Sequence, residues 1–405
     1  MSTTDMKQRR MAEREREHRR RGSLDAPKKN ELLNRDNVIL ISEYDHVLFA
    51  TVVILLLFGL VMILSSSYYV SMTRFENSIF YFFARQASAT AIGFLAMIIA
   101  AVVNYHVVCK FAPVLYVLAC GCLVYVGLFG EEINGAKRWI DLGVASFQPS
   151  EFAKVAVVLM LARYIGKDAN RANSLIGFLV CGVIVGIPVA LVRWGGNTST
   201  LIIICAIAAG MIFIASPHIW RWIAMAVAAV AAFFGYLHFF ASGFHGGRYA
   251  AHLDPFSDPT GYGYQIIQGL YAVASGGLFG LGLGQSNQKL IFLPEPHNDF
   301  IFAIICEELG LFGALIVLIL FGVFVWRGIR IAMNAADLTG TLIATGTSVL
   351  IAVQVIINVS VVTNTIINTG IPLPFISYGG TSVAFILALT GVMLNVSRYS
   401  KKRAE

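Results

Sequence analysis

An acidic residue stands directly before a long apolar stretch of this chain, where its carboxylate could act as a general base. Residues 293–300 read LPEPHNDF and place Asp299 at the start of an apolar run at about 300–326. A carboxylate held at a membrane surface could accept a proton from a sugar hydroxyl. Asn298 or Asp299 could instead cap the helix that follows, and from residue type alone the cap is favoured at about two to one.

Several basic residues lie in segments that we expect on the same side of the membrane as this carboxylate. Lys137, Arg138 and Trp139 follow the third apolar run of the chain. Arg248 and Lys289 lie between the seventh and the eighth run. Each one alone is explained by anchoring at the lipid interface. Together they could bind an anionic lipid headgroup such as a diphosphate, because Arg and Lys bind phosphate well.

Two further acidic residues, Glu307 and Glu308, lie inside the apolar run that begins next to Asp299. At the rise of an α-helix they would lie about 12–13 Å below Asp299. Charges at that depth are costly, and they usually pair inside a bundle or face a wet cavity. Lys154 is one predicted partner, unless it pairs locally with Glu151. A structural ion pair and a functional cavity fit this pattern equally well.

The elements that position these residues must lie in a membrane, because the chain is too apolar for a soluble fold. Of its 405 residues, 57% are hydrophobic and 13% are charged. Counted with Gly and without Tyr, apolar residues reach about 62%, against about 45–50% in soluble domains. A soluble protein needs more polar residues to cover its surface. This composition excludes an ordinary soluble enzyme, a disordered chain and a disulfide scaffold.

Apolar runs of the length that a helix needs to cross a bilayer recur along the chain. A hydrocarbon core of about 30 Å requires about 20 mostly apolar residues. Ten such runs lie at residues 47–64, 87–105, 111–130, 151–166, 175–194, 199–215, 222–241, 300–326, 341–364 and 379–397. The fourth is interrupted by Lys154 and Arg163. We predict an all-α integral membrane protein with ten transmembrane helices and a large structured extracellular loop, 242–298, between helices 7 and 8.

The distribution of charge predicts how the chain is oriented. The net charge is +7, and residues 1–36 hold eleven Lys and Arg against seven Asp and Glu. The positive-inside bias places this tail in the cytoplasm, and an even number of spans places the carboxyl end there too. The basic charge therefore indicates no nucleic-acid partner. We predict a cytoplasmic, partly disordered tail at 1–45, a domain in the cytoplasmic membrane at 46–398 and a short cytoplasmic tail at 399–405.

Other patterns that could indicate chemistry have simpler explanations. The six cysteines form no CxxC pair, and all but Cys109 lie in apolar runs, so they predict small core residues. Gly280, Gly282 and Gly284 lack the strand and the GKS/T of a nucleotide-binding loop, and they predict close packing or an irregular turn. We predict no metal or cofactor site, and the sequence does not decide whether a divalent cation takes part.

A series of short motifs resembles the pattern of one known family over residues 46–398. These motifs are Asn134–Ile140 (NGAKRWI), Gln148–Glu151 (QPSE) with Lys154, Arg248, Asp254–Pro255, Tyr264–Gln265, Gly276–Gly280 (GGLFG), Leu293–Glu295 with His297, Asp299–Ala303 (DFIFA), Glu307–Gly310 (EELG) and Pro372–Gly380 (PLPFISYGG). Because it carries all of these motifs in this order, the chain is similar to the SEDS proteins (shape, elongation, division and sporulation) of the FtsW/RodA type. Its long basic tail most resembles the division member.

The resemblance implies a SEDS-type helix bundle that acts as a peptidoglycan glycosyltransferase. Such proteins polymerise lipid II, a disaccharide-pentapeptide on undecaprenyl diphosphate, at the outer membrane face. They work with a class B penicillin-binding protein transpeptidase and other division or elongation machinery. Asp299 falls on the family's essential acidic position, which reverses the preference for a cap and implies a catalytic base. The implied substrate-binding residues are Lys137, Arg138, Trp139, Lys154, Arg248, Lys289, His297 and Glu308.

The chain departs from the family pattern in two places. Many members carry Pro-Asp-x-Gly-Thr before span six, where this chain has Gly196–Thr200 (GNTST). Members also often have Pro-Val in the last outer loop, where this chain has Ile367–Asn368. The first change removes a carboxylate and leaves any role of that carboxylate in ion binding open.

Two functions from other classes stay open beside the polymerase. One is a transporter that flips lipid II across the membrane, with Glu308 and Lys154 lining its path. The other is a non-enzymatic scaffold that recruits a transpeptidase. The polymerase needs its essential charge in the outer loop, whereas the transporter depends more on its membrane-buried charges.

Overall fold

The protein is a bundle of long apolar helices. The computed structural model describes residues 38–40, 44–74, 78–130, 132–133, 136–141, 146–168, 170–216, 244–290 and 292–401. Their helices are α1 (His46–Arg74), α2 (Tyr81–Val102), α3 (Tyr105–Phe129), α4 (Pro149–Gly166), α5 (Asn170–Asn173), α6 (Leu175–Trp194), α7 (Thr198–Ala215), α8 (Phe244–Leu253), α9 (Tyr264–Ser275), α10 (Ile301–Asn334), α11 (Leu338–Val362) and α12 (Gly380–Ser397).

Eight of these helices are long and apolar enough to cross a membrane, namely all except α4, α5, α8 and α9. The prediction of an all-α membrane protein is confirmed. The fourth predicted span corresponds to α4, which carries Glu151, Lys154 and Arg163 and is therefore less apolar than the others. The seventh predicted span, 222–241, lies outside the described residues, so the count of ten stays a prediction.

Helix α4 is an inner helix, which explains its charged residues. It packs against α3, α6, α7, α11 and α12. Glu151 and Lys154 are buried, at 3% and 1% exposure. Charged side chains inside a bundle are tolerated when they pair or face a polar cavity. A hydropathy average treats these inward-facing charges as if they faced lipid, which is why α4 is the weakest predicted span.

Both ends of the described chain meet at one end of the bundle, which we call the terminal end. Strand β1 (Val38–Leu40) pairs with the strand Tyr399–Lys401 in an antiparallel sheet, with Ile39 opposite Ser400. Beside this sheet, the guanidinium of Arg327 forms an ion pair with Asp45. The prediction that both termini lie in the cytoplasm stays a prediction.

Two small antiparallel sheets lie at the other end of the bundle, between α3 and α4. The first pairs β2 (Glu132–Ile133) with β3 (Ala136–Lys137). The second pairs β4 (Ile140–Asp141) with β5 (Ser146–Phe147). Strand β3 precedes Arg138 and strand β4 follows Trp139, so the two sheets fix the backbone on both sides of these residues.

Helices α2 and α12 approach each other closely through small residues. A Cβ on Gly93 of α2 would lie 2.8 Å from the Cα of Ala384. A Cβ on Gly391 of α12 would overlap the carbonyl oxygen of Met97. Such small residues allow membrane helices to pack backbone against backbone. The first turn of α12 therefore lies beside the third turn of α2, where a Cβ on Gly380 would lie 2.9 Å from that of Ala89.

The glycine-rich stretch after α9 packs against α10 at a point where the helix is interrupted. Gly310 has a φ of 67°, and this break interrupts the helical hydrogen bonding. The amides of Leu281 and Gly282 donate to the carbonyls of Glu307 and Glu308, both at 2.9 Å. A Cβ on Gly280, which has a φ of 79°, would overlap the carbonyl of Glu308. The prediction that these glycines permit close packing and an irregular turn is confirmed.

Candidate active site

A cavity of about 620 Å³ lies at the end of the bundle opposite the terminal end. Its wall combines residues of α2, α4, α7, α11 and α12 with the segments that precede α4, α10 and α12. The cavity brings together four residues that the sequence predicts at the site, which are Arg138, Trp139, Lys154 and Asp299.

Asp299 lies half-buried on the cavity wall, two residues before α10 begins at Ile301. Burial raises the pKa of its carboxyl to about 6, and the nearby Glu295 contributes to the rise. The backbone N–H groups of Asp299 and Phe300 and the charge of Arg248 oppose the rise in the pKa. A carboxylate with a pKa close to neutrality is a better proton acceptor than an ordinary one.

Neither Asn298 nor Asp299 is the N-cap of α10. The cap position is Phe300, and no side chain accepts a capping hydrogen bond there. The side-chain amide of Asn298 donates to Glu295 instead. The cap interpretation, which residue type alone favours, is therefore wrong. It fails because the helix begins later than the residue types suggest.

Asn358 of α11 holds the backbone of the Asp299 segment in place. Its Nδ2 donates to the carbonyl oxygen of Asp299 at 2.7 Å and to that of Ile371 at 2.8 Å. Gly370 adjoins this contact with a φ of 66°, and a Cβ on it would lie 3.7 Å from Oδ2 of Asp299. The segment before α12 is thereby fixed against the candidate base.

Two arginines place positive charge near Asp299. Nη2 of Arg138 donates to the carbonyl of Gly196 at 2.7 Å. Burial and the charge of Arg248 lower the pKa of Arg138, and burial lowers the pKa of Arg248 while Asp299 raises it. Both guanidiniums stay charged, since the pKa of arginine lies far above neutrality. Two cations this close favour an anionic ligand, because an anion relieves their repulsion.

Arg85 lines the same cavity and is a residue that the sequence interpretation missed. It projects from the second turn of α2, and its guanidinium lies 4.8 Å from the centre of the Tyr81 ring. Its neighbours on the cavity wall include Glu295 and Asn298. The available signal was a lone Arg at the predicted outer end of a span, on the side where the positive-inside bias depletes Lys and Arg.

Lys154 forms its ion pair with Glu151 on the cavity wall. Its Nζ lies 2.8 Å from Oε1 of Glu151. The other carboxylate oxygen of Glu151 accepts a hydrogen bond from Ser382 of α12 at 2.7 Å. Of the two partners that the sequence allows, the structure selects the local one. The ammonium carries three N–H groups, so the ion pair leaves it with capacity to donate into the cavity.

Glu308 and Lys289 form a separate buried ion pair and do not line the cavity. Nζ of Lys289 lies 2.6 Å from Oε1 of Glu308 and 2.9 Å from Oγ of Ser65. The neighbouring Glu307 accepts hydrogen bonds from the loop through the hydroxyl of Ser286 and the amide of Asn287. The predicted pairing of Glu308 with Lys154 is wrong, because the loop after α9 folds back and supplies a closer cation.

His297 and Lys137 also lie away from the cavity wall. The His297 ring is 3% exposed, and its centre lies 4.3 Å from that of Phe82 and 5.5 Å from that of Tyr378. Burial lowers its pKa to about 4, so the ring is neutral at pH 7. Lys137 is part of β3. The predicted roles of both in substrate binding stay predictions.

The two departures from the family pattern have structural roles. Asn197 is the N-cap of α7 and accepts a hydrogen bond from the amide of Thr200 at 3.2 Å, and its Nδ2 donates to Ser150 at 3.3 Å. Asn368 donates to Gln265 at 3.0 Å and accepts from the amide of Gly370 at 3.2 Å. Across the described ranges, no three His, Cys, Asp or Glu side chains lie close enough to hold a metal ion.

Comparison with known proteins agrees with this architecture. The family model described as cell cycle protein, FtsW/RodA/SpoVE, matches residues 45–402. Stage V sporulation protein E of Bacillus subtilis is 41% identical over 360 residues, which cover 88% of this chain and 98% of that protein. Peptidoglycan glycosyltransferase MrdB of Escherichia coli K12 is 37% identical over 78% of this chain and 86% of its own length.

Solved structures share the fold. A chain from a peptidoglycan synthase complex that coordinates polymerization and crosslinking superimposes with a TM-score of 0.73 at 25% identity, covering 89% of this chain and 99% of that chain. The rod shape determining protein RodA of Thermus thermophilus gives a TM-score of 0.64 at 24% identity, over 88% of this chain and 97% of its own. This chain is therefore a multi-pass membrane protein of the FtsW/RodA/SpoVE family.

Proposed function

We propose that this protein, a peptidoglycan glycosyltransferase by its family and relatives, polymerises lipid II with Asp299 as its general base. The observation that supports this role is the position of Asp299. It is a half-buried carboxylate with a pKa of about 6, on a cavity wall that also presents Arg138. In this proposal the cavity end of the bundle is the outer face of the cytoplasmic membrane, and both chain ends lie in the cytoplasm.

The chemistry joins a sugar hydroxyl of one lipid II to the anomeric carbon of a lipid-linked glycan chain. The hydroxyl oxygen forms the new glycosidic bond while its proton passes to the carboxylate of Asp299. The bond from the anomeric carbon to the diphosphate breaks, and the leaving diphosphate keeps the electron pair. An α-linked diphosphate becomes a β-linked sugar, so the configuration inverts and no second carboxylate is required.

The basic residues near Asp299 suit the leaving group. Arg138 and Arg248 are close enough that the charge of Arg248 lowers the pKa of Arg138, and a diphosphate between them would relieve this repulsion. Guanidinium groups bind phosphate oxygens through paired hydrogen bonds. Positive charge placed before the reaction stabilises the negative charge that develops on the leaving oxygen. Trp139, beside Arg138 on the wall, adds an apolar contact for the substrate.

A transpeptidase partner fits this function. One structural relative is part of a peptidoglycan synthase complex in which polymerization and crosslinking are coordinated. We propose that this chain likewise works with a class B penicillin-binding protein that crosslinks the strand as it grows. The transporter alternative has less support, because Glu308 and Lys154 lie in two separate ion pairs and do not line one path.

The test compares Asp299→Asn with Glu295→Gln, which removes another carboxylate from the same cavity wall. The purified proteins are supplied with lipid II and the transpeptidase, and polymer is measured. We expect Asp299→Asn to lower the rate by about 10²–10⁴-fold, the range for a lost general base, and Glu295→Gln to stay within a few-fold of wild type. Unchanged polymer from Asp299→Asn would remove Asp299 as the base. Lipid II movement across liposomes without polymer would favour a transporter.

A further inference from the structure

The deep end of the cavity contains a buried amide side chain to which the proposed reaction gives no role. Gln354 of α11 lines the cavity and is 1% exposed. Neither Oε1 nor Nε2 of its side chain has a hydrogen-bond partner among the described residues. A buried polar group without a partner costs about 1–3 kcal/mol of stability. A side chain of this kind that faces a cavity is suited to binding a ligand.

Gln354 lies one helical turn below the residue that holds the Asp299 segment. Asn358, four residues later in α11, donates to the carbonyl of Asp299 at 2.7 Å. Residues four apart lie on the same face of a helix, separated by about 6 Å along its axis. Gln354 therefore faces the same cavity as Asp299, about 6 Å deeper. A group bound there would be a part of the substrate next to the reacting atoms.

The surroundings of Gln354 favour a neutral ligand with both polar and apolar parts. The charged residues Glu151 and Lys154 on the same wall neutralise each other, and Glu151 also accepts a hydrogen bond from Ser382. Ile203 and Ala384 add apolar surface to the same cavity. A phosphate would be expected nearer the arginines at the mouth. The deep end therefore offers the amide donor and acceptor of Gln354 beside apolar carbon and an ion pair without net charge.

We propose that Gln354 binds the 2-acetamido group of one of the two sugars of lipid II, a proposal that rests on the proposed function. An acetamido group combines a carbonyl acceptor, an N–H donor and a methyl group that fits against an apolar wall. Its trans amide points the N–H and C=O in opposite directions, so Gln354 can engage only one of them directly. The second polar atom of Gln354 is then available to a neighbouring ring hydroxyl.

The experiment couples a variant of the protein to analogues of the substrate. Gln354→Met removes the amide while keeping the length of the side chain, and two lipid II analogues each replace one acetamido group by a hydroxyl. With lipid II we expect Gln354→Met to lower kcat/KM by about tenfold to a hundredfold. One of the analogues should lower kcat/KM of the wild type by a similar factor, and wild type and variant should then use that analogue equally well.

Stability measurements separate binding from a structural role. Replacing an unpartnered buried amide by an apolar side chain should leave the melting temperature of the free protein unchanged or raise it. Thr347→Val is the matched control, because Thr347 is a buried polar residue of the same helix whose hydroxyl donates only to Ile343 at 2.8 Å. It should change neither the rate nor the preference among substrates.

Gln354→Asn keeps an amide but withdraws it by one methylene, and it should give an intermediate rate on lipid II.

The possible results distinguish this inference from the proposed function. An equal loss by Gln354→Met on lipid II and on both analogues would show that the amide holds only water or the fold, and would overturn the inference. A variant that melts well below wild type would also overturn it, since the amide would then be structural. A wild-type protein that makes no polymer from lipid II would contradict the proposed function itself.

Discussion

Removing Lys289 should destabilise the protein more strongly than removing both members of its ion pair. Nζ of Lys289 lies 2.6 Å from Glu308, and the two side chains are 4% and 0% exposed. Lys289→Met would leave the carboxylate of Glu308 with the hydroxyl of Ser65, at 2.7 Å, as its main partner. Breaking a buried pair from one side costs about 3–5 kcal/mol, whereas replacing both partners by apolar residues is often neutral or stabilising by about 1–4 kcal/mol.

The assay is the free energy of unfolding of the purified protein in mixed micelles. We expect a loss of about 3–5 kcal/mol for Lys289→Met and recovery of most of it in Lys289→Met with Glu308→Met. Lys167→Met is the control for the loss of a surface charge and should change the stability by no more than about 0.5 kcal/mol. Equal destabilisation of the single and double variants would refute the reasoning. A stable double variant that makes no polymer would return the pair of Lys289 and Glu308 to substrate binding, the role that the resemblance implies for both.

Three further substitutions test local features of the fold and the site. Gly280→Ala should destabilise the protein by about 1–3 kcal/mol, because the new Cβ would overlap backbone. Gly322→Ala is the control, since its Cβ would meet no atom within 4 Å, and it should leave the melting temperature unchanged or raise it. Asn358→Leu should lower kcat by at least about tenfold with a smaller change in KM, because displacing the base slows the chemical step more than it weakens binding. An unchanged kcat would contradict the role of Asn358 in holding Asp299. Asn197→Asp should keep the cap of α7, with the Ser150 hydroxyl turning to donate to the new carboxylate, and should cost less than Asn197→Ala, which loses both contacts and should cost about 1 kcal/mol.

The bilayer makes much of this fold predictable from sequence. Every membrane helix needs about 20 apolar residues, so eight of the predicted spans are close to observed apolar helices despite boundary errors of several residues. The observed helix α1 extends to Arg74, beyond the predicted end at residue 64, because the outer residues of a long helix are less apolar. The break at Gly310 was not predicted, since hydropathy does not report which loop supplies hydrogen bonds to a carbonyl.

The candidate site was predictable only where its residues adjoin one another in the chain or carry charge. Arg138, Lys154 and Asp299 stood out as charges beside apolar runs, and all three line the cavity. The partner of Glu308 was missed because Lys289 precedes it by 19 residues and meets it only when the loop folds back. Gln354 was missed although a weak signal existed, since it and Asn358 are two amides on one face of an apolar helix.

The pH dependence of the rate tests the proposed base and its surroundings together. The pKa of Asp299 is raised to about 6, so the carboxylate is protonated below that value and cannot accept a proton. We expect kcat/KM, which reports on the free enzyme, to rise with pH and to reach half of its plateau at about pH 6. Asp299→Asn should abolish this rise, and Glu295→Gln should keep it.

The bound substrate should shift this pH dependence upwards in kcat. A diphosphate held beside Asp299 adds negative charge and offsets the arginines that otherwise favour the carboxylate, so the pKa of Asp299 should be higher in the complex. One uncompensated charge at about 8 Å, in an effective dielectric of about 20, is worth about 2 kcal/mol, or about 1.5 pH units. Because kcat reports on the complex, its rising limb should lie above that of kcat/KM by about 1.5 pH units. Coincident limbs would mean that the diphosphate does not bind next to this carboxylate.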